Sequence, residues 1–471
     1  MSDAATMTLM PAPAAPLLTV HDPFTGAEIG HLEQIAPDAI EAVLARAQVG
    51  FELSRALSRF SRHQILARAA ELLHGRREEI ARLIVREAGK TIRQARKEVG
   101  RATNTLSLSA ETARSNVGEL IPFDAFEGSE NRKGWFTREP LGIVAAITPY
   151  NDALNLVAHK LGPAIAAGDA VILKPSQLTP LTASALVDTL IEAGLPDEII
   201  TLVCGDRSVA QAIVSARDVR LVSFTGGFST GEAIARNAGL KRLSMELGGN
   251  APVLVFADAD VAAAVEACVS GSFWAAGQNC VGTQRILIHR SVYQGFRDQF
   301  VARTATLRTG DPALETTDVG PMITLDSALR VQRLVDDALR AGARLLAGNR
   351  LHGSVFAPTV LEEVPFSCEL WADEAFAPVV VLQPFDTEEE ALRLANEVEF
   401  SLHAAVFTND LNTALRVSGA LDAGGVMIND SSDYRVDSMP FGGSKYGSMG
   451  REGVRFAFEE MTQPKVVCIN A

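Results

Sequence analysis

Four short apolar runs, each followed by a stretch of helical periodicity, constrain this chain more than any other feature. They are GIVAAITP (142–149), AVILKP (170–175), IITLVCG (199–205) and VRLVSFTGG (219–227), with helical stretches near 153–166, 182–193 and 209–216, and one from Ser229. Strands alternating with helices of about ten residues form parallel βαβ units, and the sheet is buried on both faces. A second block repeats the pattern. APVLVF (251–256), RILIHR (285–290), VVVLQPF (379–385), HAAVFT (403–408) and GVMIND (425–430) read as strands, with helices expected at 259–275, 291–306, 327–341 and 388–397.

Ahead of both blocks, residues 38–57, 61–87 and 90–115 carry apolar positions at helical spacing. Residues 118–140 are rich in Gly, Pro and aromatics and read as extended or hairpin-like, and TQPKVVCIN (462–470) reads as an edge strand. The fold class is therefore α/β, with two open parallel lobes plus a hairpin and tail. That fits 471 residues, about three domain-equivalents.

Composition narrows the function by exclusion. A formal net charge of −14 argues against a nucleic-acid partner. No run approaches 18 apolar residues, so no membrane-spanning helix is expected. The first twenty residues read as a loose arm, without the basic start and compact apolar block of a secretory signal. Cys204, Cys268, Cys280, Cys368 and Cys468 are scattered and odd in number. They fit a reduced, cytoplasmic chain without a disulfide frame or a metal site.

Ligands of open parallel sheets sit beyond the carboxyl ends of the strands. No G-x-G occurs anywhere, so the usual dinucleotide fingerprint is absent. The turn Thr225-Gly226-Gly227-Phe228-Ser229-Thr230-Gly231 leads into a helix and suits either a phosphate or a plain strand-to-helix connection. Lys174-Pro175-Ser176 ends another strand of the same sheet. Gly277 at the close of a helical pattern suggests a C-cap, which puts Cys280 on the following loop, as an inert or a reactive thiol. Glu246 precedes Gly248 and Gly249, which permit close backbone approach.

Together these pieces resemble the aldehyde dehydrogenase superfamily, from about residue 20 to the C-terminus. Asn151, after Thr148-Pro149-Tyr150, matches the family's oxyanion asparagine; Glu246 in MELGGN matches its general base; Cys280 in GQNC, 34 residues on, matches its nucleophile. Glu374 and Phe376 in DEAFAP match the motif that holds the nicotinamide ribose and ring, and MPFGG (439–443) followed by GREG (450–453) matches the C-terminal signature.

The resemblance implies a dinucleotide-binding domain from 1–121 and 142–247, a catalytic domain from 248–458, and an oligomerisation hairpin and tail from 122–141 and 459–471. It implies a homodimer or homotetramer in which the hairpin pairs with a neighbour's C-terminal strand. It also implies NAD or NADP, with NAD slightly preferred, on Thr148, Pro149, Lys174, Ser176, Gln177, Thr225, Gly226, Gly227, Gly231, Leu247, Glu374 and Phe376. The chain departs from the family at four points. Gln177 replaces the glutamate that bonds the adenosine ribose, which weakens the preference against NADP. Gly227 replaces a serine, Ala377 a glycine, and Gly447-Ser448 inverts the order many relatives carry.

The implied reaction is attack of Cys280 on an aldehyde and passage through a thioester to a carboxylic acid. Relatives that transfer the acyl group to coenzyme A typically lack a base like Glu246. Arg101, His159, Asn279 and Arg435 are the candidate substrate contacts. Arg101, His159 and Arg435 make a cationic tunnel for a carboxylated, phosphorylated or phosphonylated aldehyde. The wording of 151–160 and 433–443 is similar to the lactaldehyde, non-phosphorylating glyceraldehyde-3-phosphate and phosphonoacetaldehyde branches. The alternatives are a succinate-semialdehyde or broad aliphatic substrate range, or a catalytically silent binding protein on the same fold.

Overall fold

The computed structural model describes residues 17–115 and 117–470. A hairpin of β1 (Leu17–His21) and β2 (Glu28–Glu33) leads into α1 (Ile40–Ala56), α2 (Arg59–Gly75), α3 (Arg77–Ala88) and α4 (Ile92–Ser115). The strand pair β3 (Gly118–Ile121) and β4 (Arg132–Pro140) follows. Next come β5 (Ile143–Ile147), α5 (Asn155–Ala167), β6 (Ala170–Lys174), α6 (Pro180–Glu192), β7 (Ile200–Leu202), α7 (Arg207–Ser215), β8 (Val219–Thr225), α8 (Phe228–Asn237) and β9 (Arg242–Glu246).

The second block holds β10 (Ala251–Val255), α9 (Val261–Phe273), β11 (Thr283–His289), α10 (Arg290–Ala305), α11 (Leu325–Arg340), β12 (Arg344–Ala347), β13 (Thr359–Glu362) and β14 (Val379–Phe385). It continues with α12 (Glu388–Asn396), β15 (His403–Phe407), α13 (Leu411–Ala420) and β16 (Gly425–Ile428). The chain closes with β17 (Ser448–Met449), α14 (Val454–Glu460) and β18 (Thr462–Asn470).

The six-stranded sheet runs β17-β9-β8-β5-β6-β7, parallel except for β17. All five residues of β5 and of β6 are buried. The strand period of two divides them between two cores. Val144 and Ala146 pack with Leu66, Ile84, Leu106 and Leu161 of the helices on one face. Ile143, Ala145 and Ile147 pack with Val43, Ile213 and Ile234 on the other. The seven-stranded sheet runs β12-β13-β14-β11-β10-β15-β16, parallel except for β12.

Four expectations are corrected. The helical stretch at 61–87 is two helices that break at Arg76. Leu17–His21 pairs with Glu28–Glu33 and is not part of a loose arm; the rest of that arm, 1–16, lies outside the described residues. β18 pairs antiparallel along its whole length with β4 of its own chain, Thr462 to Pro140 through Asn470 to Arg132, where a neighbour's strand was expected. The chain also crosses back before the tail. β17 joins the first sheet beside β9, and Phe458 packs in the core of α2, α4 and α5, so 448–458 does not sit with the second sheet.

Candidate active site

The strand ends of the first sheet set the site. Lys174 is the last residue of β6, Thr225 of β8 and Glu246 of β9, while Thr148, Pro149 and Asn151 follow β5. Parallel strands bring these carboxyl ends to one edge, where the following turns open a crevice.

Cys280 reaches that edge from the α9–β11 connection. The helix ends at Phe273, four residues before the expected cap at Gly277. Ala275 (φ 50°), Ala276 (φ 55°) and Gly277 (φ 67°) then form a buried left-handed kink. A side chain at Gly277 would lie 1.9 Å from the Ala377 carbonyl oxygen, so only glycine fits. The kink redirects the chain and sets Cys280 in the wall of a cavity that Asn151 also lines.

The two glycines after Glu246 let other groups approach. A Cβ at Gly248 would lie 2.7 Å from Glu374 Oε2, and one at Gly249 would lie 2.7 Å from the Cys280 carbonyl oxygen. The Gly249 amide donates to Glu374 Oε1 at 3.2 Å. Burial raises the Glu374 carboxyl to about 8, against that hydrogen bond and Arg330. Phe376 adopts φ 46° and meets Tyr150 edge-on at 5.9 Å. Gly447 fits where a side chain would strike Ser401, and its carbonyl accepts from the Leu247 amide at 2.8 Å. In the inverted Gly447-Ser448 pair, the Ser448 hydroxyl takes the Gly443 amide at 2.7 Å.

Behind Cys280 lies a buried ionic cluster. Glu452 accepts from Lys160 (3.4 Å), Thr225 (3.1 Å) and Arg435 (3.0 Å). Burial opposes its ionisation, but Lys160 and Arg435 outweigh burial and hold its carboxyl at about 2. Glu246, also buried, is pushed well above the usual carboxylate range, first by desolvation and then by the Glu452 charge; Arg435 and Lys160 pull the other way. Its Oε2 has no hydrogen-bond partner among the described residues. Burial likewise raises the Cys280 thiol, with Glu374 adding to it and Arg435 opposing.

The Glu246 carboxyl and the Cys280 thiol are thus both tuned upward, so their deprotonated forms gain population as pH rises. Iodoacetamide labelling of Cys280 in the free enzyme, followed by peptide mass spectrometry, is expected to accelerate about tenfold per pH unit without levelling below about pH 9. A plateau near neutrality would contradict this.

The cavity measures 470 Å3. Of the sequence candidates, Cys280, Asn151, Asn279, Arg101 and Arg435 line it, and the imidazole of His159 does not. His159 is buried behind it, 3.2 Å from Asp437 Oδ1, and desolvation lowers its pKa. A neutral ring in that place is a structural partner of Asp437, so its assignment as a substrate contact is withdrawn. Arg101 is neutralised by Asp152 (3.3 Å) and Asp437 (3.0 Å), which removes it as a free cation. Asn279 Oδ1 is turned back to its own loop by the Val281 amide at 3.4 Å.

Sequence reading missed Lys160, Glu452, Asp152 and Asp437. One signal existed: a lysine inside LVAHKLGPAIAA, a helix apolar on every side, requires a buried partner.

The strand-end residues fit a dinucleotide. Helix α8 has Gly227 at its N-cap with no side-chain cap, and nothing would meet a Cβ there. Its first amides are therefore open to an anion. Gly231 is required for close packing, since a Cβ would lie 2.2 Å from Leu247. Thr148 Oγ1 is buried without a partner among the described residues, while the Thr225 hydroxyl is committed to Glu452. Gln177 donates to Gln34 at 3.3 Å, so no carboxylate stands at that position. Ser176 Oγ accepts from the Leu178 amide at 3.2 Å.

Fold and site together set a cysteine in the wall of a cavity, beside strand ends that fit a dinucleotide. The chain belongs to the aldehyde dehydrogenase family, whose model matches residues 12–467. It is 61% identical over 464 residues to an aldehyde-dehydrogenase-like protein of Sinorhizobium fredii, covering 98% of this chain and 90% of that one. It is 58% identical to aspartate-semialdehyde dehydrogenase 1 of Pseudomonas canavaninivorans, with 97% of each chain covered. Among solved structures, it is similar to the glyceraldehyde-3-phosphate dehydrogenase of Methanocaldococcus jannaschii complexed with NADP (TM-score 0.93, 38% identity, 96% and 99% of the chains covered). No helix of the described residues is long and apolar enough to cross a membrane.

Proposed function

We propose that this enzyme oxidises a small aldehyde bearing an acid or hydroxyl group to its carboxylic acid. The coenzyme is NAD or NADP, which accepts the hydride when bound. The Cys280 thiol loses its proton to solvent and the sulfur adds to the aldehyde carbon, whose oxygen becomes an alkoxide held by the Asn151 amide and the Cys280 N–H. Loss of hydride from that carbon leaves a thioester on Cys280. Glu246 takes a proton from water, the hydroxide attacks the thioester, and the acid leaves as the thiol reforms. The net change consumes one aldehyde, one water and one oxidised coenzyme, and releases two protons. Hydrolysis rather than transfer to coenzyme A follows from a carboxylate at the end of β9.

The observation that carries this reading is the shared cavity of Cys280, Asn151 and Arg435, with Glu246 buried among the charges behind it. Lys174, Thr148, Pro149, Ser176, Gln177, the 225–231 turn, Leu247, Glu374 and Phe376 are the proposed coenzyme contacts. Gln177 brings no charge against a 2′-phosphate, so both coenzymes are expected to serve. Two matched proteins are named for acid-bearing aldehydes, aspartate semialdehyde and glyceraldehyde 3-phosphate, which supports an acid group on the substrate.

A panel of phosphonylated, phosphorylated, carboxylated, hydroxylated and plain aldehydes, run with NAD and NADP, tests the reading. Acid-bearing aldehydes are expected to exceed plain ones of equal length by about tenfold or more in kcat/KM, as for one charge-assisted contact. Equal values would refute the acid-group preference. Assembly as a homodimer or homotetramer is proposed through the three-stranded sheet, where Leu120 is 84% exposed and Val466 58%. The five free cysteines support a cytoplasmic location.

A further inference from the structure

The cavity wall carries four cations, Lys90, Lys97, Arg101 and Arg435, and four carboxylates, Glu98, Asp152, Asp430 and Asp433. Most of these charges are spent on each other. Lys90 is paired with Glu98 at 2.7 Å and with Asp152, and Arg101 with Asp152 and Asp437. What remains has both signs.

On the positive side, the Arg435 side chain is more than nine-tenths buried; one of its terminal nitrogens is taken by Glu452 at 3.0 Å, while its Nε has no hydrogen-bond partner among the described residues. Its guanidinium carbon lies 3.6 Å from the centre of the Phe441 ring in the same wall. Lys97 rests its ammonium over the Trp274 ring at 4.6 Å. On the negative side, Asp430 and Asp433 line the cavity and form no ion pair within 4 Å among the described residues. Asp430 accepts only the neighbouring Ser431 amide among these contacts, at 2.8 Å. Burial pushes the Asp433 carboxyl up and the Asp430 charge adds to it, with Ser431 and Lys97 opposing.

A ligand carrying only negative charge would satisfy Arg435 and Lys97 but would be confined beside two unneutralised carboxylates. That is a repulsive element of the kind that rejects the wrong partner. A ligand with an ammonium next to its acid group neutralises both sets.

We propose that the substrate is a zwitterionic aldehyde, an amino-acid semialdehyde, whose ammonium is received by Asp433 with Asp430 beside it and whose carboxylate is received by Arg435 Nε and Lys97. This deepens the reading of an acid-bearing aldehyde and rests on it. Asp433 is then the residue that separates amino from desamino substrates.

Two four-carbon aldehydes that differ only by the α-ammonium provide the probe: aspartate 4-semialdehyde and succinate semialdehyde. The full-length enzyme is expected to favour the amino compound by about tenfold or more in kcat/KM, the scale of one ion contact. In Asp433→Asn that ratio is expected to collapse towards one, and in Asp433→Glu to recover in part. A merely structural loss at position 433 would lower both aldehydes together and leave the ratio in place. A wild-type ratio at or below one, or an unaltered ratio in Asp433→Asn, overturns the inference while oxidation of succinate semialdehyde keeps the acid-group reading standing. Oxidation of propanal with neither acid-bearing compound turned over overturns both.

Discussion

Cys280→Ala is expected to lower kcat by at least about 10⁴-fold, because removing a nucleophile abolishes the covalent route and leaves only binding and oxyanion contacts. Coenzyme binding is expected to survive, since the strand ends and the uncapped start of α8 that would hold it belong to the other sheet. The alanine also fits the space: Cys280 is only half-buried and packs against Val281, Leu402 and Phe441, so losing one sulfur opens no deep cavity. The check combines stopped-time turnover with intact-mass spectrometry. Wild-type enzyme quenched during reaction should carry an acyl adduct that Cys280→Ala lacks. Turnover within tenfold of wild type, or an adduct that persists in the variant, would remove Cys280 from the reaction. Coenzyme titration of the variant separates loss of chemistry from loss of the fold.

The residues that show in a sequence are those whose local pattern is set by what they do to the backbone. The βαβ alternation was legible because β5 and β6 are buried on both faces and so read as unbroken apolar runs. Glu246, Cys280 and Asn151 stood out beside glycines and turn residues that the close approaches require, as at Gly248, Gly249 and Gly277. RLSME at β9 escaped notice because its outer half is exposed and mixed in polarity, although it carries Glu246 at its end. The crossing of 448–458 back to the first sheet is a long-range pairing, Ser448 against Glu246, and no local period encodes it. Charge state was hidden for the same reason. Arg101, His159 and Arg435 all looked cationic as residue types, yet Asp152 and Asp437 bind the first, Asp437 fixes the second as a buried ring, and Glu452 takes one face of the third. A cationic tunnel inferred from residue types becomes, once the partners are placed, a cavity lined by charges of both signs, most of them paired.

Glu246→Gln is expected to slow steady-state turnover by about 10²–10⁴-fold, the range for losing a general base, while a burst of reduced coenzyme stoichiometric with enzyme persists. The asymmetry follows from where Glu246 sits. It ends β9, its Oε2 is buried without a partner among the described residues, and desolvation together with the Glu452 charge raises its carboxyl well above the usual range. In the proposed reaction the Cys280 proton goes to solvent, so thiol attack and hydride loss do not depend on the ionisation of Glu246. Its ionised form, which Arg435 and Lys160 favour against desolvation, is the base that takes the proton of the attacking water. Glutamine keeps the volume, so thiol attack and hydride loss go on and the thioester accumulates. Rapid mixing resolves the two phases, and raising the pH should speed the slow phase of the wild type but not of the variant. A variant that lost turnover with no burst would place Glu246 before the thioester, as the activator of Cys280, and would reverse the order of events proposed for this site.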